Sequence, residues 1–240
     1  ALALVAVPSA SRADRRYYGQ TYNAVTAPKG SLDVELWTTY YDPPNGAAAG
    51  TPSLWRHQLE LETGITDRWD VAVYGIARQI ESEDPEFESV KLETRYALAP
   101  PGAWPVDTVL YFEAKKTFVD EKPWSIEEKV ILGKDLGRLN LSLNAAVEQE
   151  FEEGEVKWEG SYALGSSWEL IPALRLGAEV FGVVEKEEIA PGEEELEGLV
   201  WAGPAASIAV GHAWLVLAAG FGLTDDSDAL RARAVLAFQF

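Results

Sequence analysis

Residues 229–240 read ALRARAVLAFQF, in which apolar side chains recur at every second position. On an extended strand Phe238 and Phe240 share one face, and Arg231 and Arg233 lie on the other. A strand of this kind contacts an apolar medium on one side and water on the other. Because the same alternation recurs along the chain, the sequence is typical of an outer-membrane β-barrel of a Gram-negative bacterium.

The composition excludes several classes of protein. The 240 residues are 47% apolar and 25% charged, which suits one folded domain rather than a disordered chain. There is no cysteine, which excludes disulfides, zinc fingers and thiol catalysis. The net charge of −19 argues against nucleic acid as a partner and against docking on anionic lipid. No apolar run is long enough for a membrane-spanning helix.

The N-terminal stretch ALALVAVPSASRA resembles the tail of a secretory signal peptide. Its short apolar run precedes Ser11 and Ala13, which have the small-x-small spacing of a cleavage site. We therefore predict a residual signal peptide over 1–13, an N-terminal periplasmic segment over 14–30 and an outer-membrane β-barrel over 31–240. A first β-strand in the N-terminal stretch is the alternative, which Pro8 disfavours.

The rhythm of strands and turns predicts an all-β fold, an antiparallel up-and-down transmembrane β-barrel of about 12 strands. Most candidate strands have about 9–12 residues, the length that a tilted strand needs to cross a bilayer. We expect strand one to pair with strand twelve, since every peptide group in hydrocarbon must be paired. The predicted strands lie near 31–41, 53–63, 69–80, 88–98, 108–118, 125–133, 139–150, 156–164, 174–184, 199–210, 214–223 and 229–240.

The alternation is clearest in strands one, two, four, seven and twelve. In strand two, for example, Leu59 falls on the apolar face and Glu60 on the polar face. Strand six is imperfect, because either Glu128 or Lys129 must lie on its apolar side. Strands ten and eleven are apolar on both faces, so the sequence leaves their orientation open.

The connections alternate in charge. Those after the even strands are nearly neutral, such as 64–68 and 211–213, and those after the odd strands are acidic, with 185–197 the densest. We predict that the neutral turns face the periplasm and the acidic loops face outside. Carboxylates in these loops suit divalent cations, alone or bridged to lipopolysaccharide phosphates. The alternative is a solvated acidic surface without a bound ion.

Most tryptophans lie at the predicted strand ends, as expected of the aromatic belts at the two membrane interfaces. Trp37 alone lies in the middle of a strand. The alternative is that tryptophans anchor strand ends, as they do in a β-sandwich. The predicted membrane-interface residues are Trp55, Trp69, Trp104, Trp124, Trp158, Trp168, Trp201 and Trp214.

The polar faces carry both signs of charge in nearly equal number. Such a lumen is either a hydrated channel for small solutes or a lattice of cross-strand ion pairs that fills the barrel. Twelve strands lie between the small barrels that side chains fill and the large barrels that leave an open channel. The predicted lumen-lining residues are Asp33, Glu35, Arg56, Glu60, Arg78, Lys91, Glu93, Arg95, Glu113, Lys115, Glu148, Lys157, Glu159, Arg175, Glu179, Arg231 and Arg233.

Catalytic motifs are absent from the sequence. His57 falls on an apolar face and His212 in a short turn, and neither G-x-S-x-G nor H-E-x-x-H occurs. We therefore predict no catalytic residues, no metal site and no cofactor. An enzyme that acts on lipid stays the least favoured alternative.

Two stretches resemble a known family. Ala27-Pro28-Lys29-Gly30 leads into strand one, and Gly64-Ile65-Thr66-Asp67-Arg68-Trp69 spans the first turn. They are similar to the "PKG" opening and the "GiTdrw" turn of the outer-membrane transporter-like proteins of the putative MetA-pathway of phenol degradation group. The resemblance implies a barrel of about twelve strands with a transport role, and it supplies no substrate and no catalytic residue.

The chain end resembles the signal by which the barrel-assembly machinery recognises its clients, and the residues of this assembly signal are Leu236, Phe238 and Phe240. The predicted partners are therefore that machinery, outer-membrane lipid and lipopolysaccharide, with divalent cations at the acidic loops. The leading functional hypothesis is a passive channel or transporter for small solutes through a charged lumen, in the bacterial outer membrane. A non-conducting structural or surface-interaction barrel is the alternative, and a soluble periplasmic carrier with inverted strand faces is the remaining one.

Overall fold

The computed structural model describes residues 15–119, 124–152, 155–190 and 193–240. Twelve antiparallel strands follow one another in these ranges and form one closed barrel. Each strand pairs with its neighbour in sequence, and β1 closes the ring by pairing with β12. The predicted fold class is confirmed.

The strands are longer than those of most soluble proteins. In chain order they are β1 Leu32–Tyr41, β2 Leu54–Thr66, β3 Trp69–Ile80, β4 Glu86–Ala97, β5 Asp107–Thr117, β6 Trp124–Leu136, β7 Leu139–Glu152, β8 Glu155–Ile171, β9 Leu174–Ala190, β10 Glu193–Val210, β11 Ala213–Gly222 and β12 Leu230–Gln239.

The closing seam is regular. Val34 lies opposite Phe238, and Leu36 lies opposite Leu236 in the same ladder. Because the ladder has no free edge, the strand backbone is paired all round the barrel, as hydrocarbon requires. In the described ranges no helix is long and apolar enough to cross a membrane.

The side-chain alternation gives the barrel an apolar outside. Leu36, Leu59, Leu92 and Leu164 are all exposed on the outer face, with 61% of Leu92 accessible. Their strand neighbours on the other face are buried, as Glu60 and Glu93 show. This is the inverse of a soluble sandwich, whose apolar residues meet in a dry core. The burial pattern therefore opposes the soluble-carrier alternative.

The wall is tallest on the side of β8, β9 and β10. The backbone of β9 runs to Ala190 and β10 begins at Glu193, so most of the acidic stretch predicted as a loop at 185–197 is paired strand. The side chains of 185–190 and 193–197, the whole of 191–192, and the predicted signal stretch 1–13 lie outside the described residues.

Candidate functional site in the barrel interior

The interior is crossed by the N-terminal residues 15–27, which we call the strap. Tyr18, Thr21 and Ala27 of the strap have no accessible surface, and Arg16 is 4% exposed. The sequence predicts this stretch as part of a periplasmic segment, 14–30, before the first strand. It lies inside instead, because its arginine, tyrosine and backbone groups find partners on the barrel wall.

Glu179 of β9 holds the middle of the strap. Its carboxylate accepts hydrogen bonds from three successive backbone N–H groups, those of Gly19 at 2.7 Å, Gln20 at 2.8 Å and Thr21 at 2.7 Å. Bonds to an ionised acceptor are stronger than neutral ones. Since Glu179 is buried, this cluster is a strong single attachment of strap to wall.

Two asparagines of β7, which only β8 separates from β9, also hold the strap. The Tyr18 hydroxyl donates to Asn140 Oδ1 at 2.8 Å. Asn144 makes a reciprocal pair with Tyr22, accepting from its backbone N–H at 2.6 Å and donating to its carbonyl at 3.0 Å. The middle of the strap is thus hydrogen-bonded to both β7 and β9.

The wall has a glycine at two places where the strap passes close to it. A Cβ added at Gly165 would lie 2.8 Å from the Tyr18 ring, and one at Gly133 would lie 2.7 Å from the Ala24 Cβ. Both separations are shorter than real Cβ contacts. The wall and the strap therefore fit each other in shape as well as in hydrogen bonding.

Glu179→Gln is expected to release the strap. The amide keeps one acceptor oxygen but turns its NH2 group toward backbone donors and removes the charge. Since bonds to a charged acceptor contribute about 1.5–3 kcal/mol each, protection of the strap amides should fall by roughly ten-fold or more. Hydrogen exchange of Gly19, Gln20 and Thr21 measures this.

Glu148→Gln is the matched control, because Glu148 is an interior carboxylate that pairs with Lys115 at 3.0 Å and makes no described contact with the strap. If hydrogen exchange of the strap amides were equally slow in both variants, Glu179 would not be the attachment.

A buried charge cluster lies where the strap leaves the interior. Arg95 pairs with Glu62, with Asp70 at 2.8 Å and with Glu93 at 3.5 Å. All four side chains are at most 2% exposed. One guanidinium is thus shared by three carboxylates in a site closed to bulk water.

Trp37 joins a second pair of buried carboxylates to the strap. Its indole Nε1–H lies 3.0 Å from both Glu35 and Glu60. Arg16 of the strap pairs with Glu35 at 3.3 Å, and its guanidinium lies 4.3 Å from the centre of the Trp37 ring. A cation over an aromatic face is attracted by the ring. Arg16 therefore brings a positive charge from the strap to this corner of the wall.

Beside the strap the interior opens into a cavity of about 250 Å³. Lys91 pairs with Glu113 at 2.7 Å and Lys129 pairs with Glu127 at 2.8 Å across its wall. Gln20 and Tyr22 of the strap also line it. The strap is therefore a wall of the cavity, so moving it would change the path through the barrel.

Arginines line the interior at the end away from the short turns. Arg56 pairs with Glu88 at 2.7 Å, and Arg231 pairs with Asp228 at 2.7 Å. The Arg231 guanidinium also lies 3.9 Å from the centre of the Trp201 ring. These side chains are partly exposed, so water reaches them.

The residues predicted to line the lumen differ in burial. Buried are Asp33, Glu35, Glu60, Glu93, Arg95, Glu113, Arg175 and Glu179. Half-buried are Arg56, Arg78, Lys91, Lys115, Glu148, Glu159, Arg231 and Arg233, and Lys157 is exposed. The structure brings Lys91, Glu113, Glu159 and Arg233 together around the cavity. Arg175 lies apart, paired with Glu169 near the short turns.

The predicted membrane-interface tryptophans divide into two groups. Trp55, Trp69, Trp104, Trp124, Trp158 and Trp168 are exposed. Trp201 and Trp214 are buried and face inward, contrary to the expectation. Trp201 stacks on Phe181 at 5.4 Å, and Trp214 packs with Trp37 and Val216. The reason is that β10 and β11 are apolar on both faces, so alternation could not orient them.

The interior also contains polar aromatic residues that the sequence analysis did not single out. Tyr74 donates to Glu93 and Tyr111 donates to Glu113, both at 2.5 Å. The period-two pattern would have found Tyr111, because it lies two residues before Glu113.

The histidines do not form a catalytic arrangement with the residues described. His57 lies on the outer face, 3.1 Å from Thr38 Oγ1 and stacked on Trp55. His212 is exposed in the turn before β11. Among the described residues, no group of three histidine or carboxylate side chains could hold a metal ion.

Solved outer-membrane channels have a similar fold. The COG4313 outer membrane channel from Pseudomonas putida F1 matches with a TM-score of 0.65 at 10% identity, over 90% of this chain and 98% of that chain. The NanC porin matches with a TM-score of 0.57 at 7% identity, over 87% of this chain and 98% of that chain. The KdgM porin, in complex with disordered oligogalacturonate, matches with a TM-score of 0.54 at 8% identity, over 88% of this chain and 98% of that chain. No protein-family model and no curated protein matches the sequence. The chain therefore has the fold of outer-membrane β-barrels.

Proposed function

We propose that this chain is an outer-membrane channel for small solutes, and that the strap is a removable plug. The apolar outside suits lipid, and the interior offers water a path lined with charged and hydroxyl groups. The resemblance of the first turn to the MetA-pathway transporter group agrees with a transport role. The fold of the COG4313 channel and of the two porins supports an outer-membrane location and passage through the barrel.

One observation carries the proposal. The strap continues through residues 28–31 into β1, its described contacts with the barrel wall are non-covalent, and about 250 Å³ of space lies directly beside it. A barrel that needed a permanent core would fill that space with side chains. A plug that can leave needs polar contacts that water can replace, and the strap makes contacts of that kind.

Charge reversal tests whether the interior conducts. In planar-bilayer recordings, Arg231→Glu with Arg233→Glu is expected to shift the reversal potential in a salt gradient toward cation selectivity, because two fixed positive charges become negative. Arg68→Glu, in the turn before β3, is the control and should leave selectivity unchanged. Unchanged selectivity in a conducting double variant would show that these two side chains do not line the path.

The second candidate is a non-conducting barrel, and the filled interior favours it. Buried ion pairs such as Arg95 with Asp70, together with the strap, occupy much of the cross-section. This candidate predicts no current from a folded barrel even after the strap is removed.

A further inference from the structure

The cavity beside the strap has one cation whose charge is not matched by a wall carboxylate. Lys91 and Lys129 each pair with a glutamate at less than 3 Å. Arg233 of β12, by contrast, donates to neutral oxygens, from Nε to Thr39 Oγ1 at 2.9 Å and from Nη1 to the Gly19 carbonyl at 2.8 Å. Among the described residues it has no ion-pair partner.

The guanidinium of Arg233 retains hydrogen-bonding capacity toward the cavity. An arginine has five N–H donors, and the two described bonds engage two of its three nitrogens. Glu179 also contacts Gly19, but its carboxylate already accepts three backbone N–H groups. Thr39 and Gly19 fix the guanidinium in place, which lowers the entropy lost when an anion binds.

The rest of the cavity wall is partly apolar. Tyr22 and Tyr111 pack edge to face at 5.4 Å, and Phe181 lies among the lining residues with Ala163 and Val183. A cavity with aromatic walls and one cation that has no described ion-pair partner suits a ligand with a charged head and an apolar body. Its volume of about 250 Å³ limits that ligand to a small molecule.

We propose that this cavity binds a small organic monocarboxylate, with the carboxylate on Arg233 and the apolar body between Tyr22 and Phe181. The inference rests on the proposed function in one respect, since it names the class of solute that the channel would take up. An arginine fork matches a carboxylate in geometry as well as in charge. A divalent anion is disfavoured, because Glu113 and Glu127 line the same cavity.

Calorimetric titration of the full chain in detergent tests the site, with benzoate as the probe and benzamide as its uncharged analogue. Benzoate should bind the unmodified protein and benzamide should bind at least about ten-fold more weakly. Arg233→Gln should weaken benzoate binding by roughly 10- to 100-fold, since a hydrogen bond to a charged group contributes about 1.5–3 kcal/mol. Arg233→Lys should retain part of the affinity, and Arg68→Gln, which removes a charge outside the cavity, should retain all of it.

Equal affinity for benzoate and benzamide, or no binding of benzoate, would overturn the inference, and neither comparison depends on a variant that folds. Affinity that survives Arg233→Gln would overturn it as well. Bilayer recordings of a variant that lacks the strap, made without benzoate, keep the two proposals separate. Current without benzoate binding would support the channel and contradict the binding site. Benzoate binding without current would support the binding site and contradict the channel.

Discussion

Deletion of the strap, residues 15–27, is expected to raise the single-channel conductance several-fold. The strap runs from β10, where Arg15 donates to Ser207 at 2.9 Å, to β3, where the Ala27 N–H donates to Asp70 at 2.8 Å. Since it spans the interior between these strands, its removal joins the cavity to the short-turn end. Planar-bilayer recording of the deletion variant beside the full chain measures the change.

The deletion is also expected to make the channel more selective for cations. Arg15 and Arg16 leave with the strap, and Glu35 and Glu179 lose partners that now hold them. Fixed negative charge in a narrow path concentrates cations and excludes anions. The reversal potential in a salt gradient reports this change in the same recordings.

A synthetic peptide of residues 15–27 provides the control. Added to the open deletion variant, it should block the current, because every strap contact is non-covalent. A peptide of the same composition in scrambled order should not block. A deletion variant that folds as a barrel and conducts no better than the full chain would contradict the plug.

Arg95→Leu is expected to have the largest effect on stability. It leaves Glu62, Asp70 and Glu93 without their shared cation in a site that is at most 2% exposed. Removing one partner from a buried ion pair costs about 3–5 kcal/mol, because an uncompensated charge remains. The free energy of unfolding in urea, measured in detergent or liposomes, should fall by about that amount.

Arg78→Leu is the matched control. Arg78 pairs at 2.7 Å with Glu86, whose side chain is 50% exposed. Ion pairs that are open to solvent contribute about 0–1 kcal/mol, so the free energy of unfolding should fall by no more than that. If the free energy of unfolding fell equally in the two variants, the Arg95 cluster would be hydrated and would contribute no more to stability than an exposed ion pair.

The barrel could be predicted because neighbouring residues along a strand alternate between an apolar side chain for lipid and a polar side chain for the interior. Leu59 faces the outside and Glu60 the interior, and the two residues are adjacent in β2. Such alternation is local, so it needs no knowledge of which strands meet. Where both faces are apolar, as in β10 and β11, the local signal disappears, and Trp201 and Trp214 lie inside rather than at the predicted interface.

The height of the wall could not be predicted for a related reason. Residues 185–197 are densely acidic and have no apolar face, which resembles a loop. The backbone pairs there nonetheless, with Glu195 opposite Glu187 and one register shift between Glu193 and Glu194. The alternation between an apolar and a wet medium that marks a membrane strand is absent from this stretch, so no sequence pattern marked the strand's end.

The strap could not be predicted because its partners are distant in sequence. Tyr18 reaches Asn140, and Gly19 reaches Glu179, 122 and 160 residues further along the chain. A period or a motif within the segment carries no information about such contacts. The one local signal is the content of Arg15 to Tyr22, since two arginines and three tyrosines in eight residues are unusual for a solvated linker.

A reversible cross-link between strap and wall tests the central claim most directly. The chain has no cysteine, so Ala24→Cys with Gly133→Cys introduces the only possible disulfide. A Cβ at Gly133 would lie 2.7 Å from the Ala24 Cβ. The strap must therefore shift by about 1 Å to reach disulfide geometry. Glu179→Gln, added to the pair, removes the attachment that would keep the reduced strap in place.

The measurement is the current through this variant in one bilayer, before and after a reductant is added. The account predicts little current while the disulfide holds the strap and a several-fold larger current once it is reduced. Current that is the same before and after reduction, with the disulfide shown to form and to break, would contradict a channel that the strap closes.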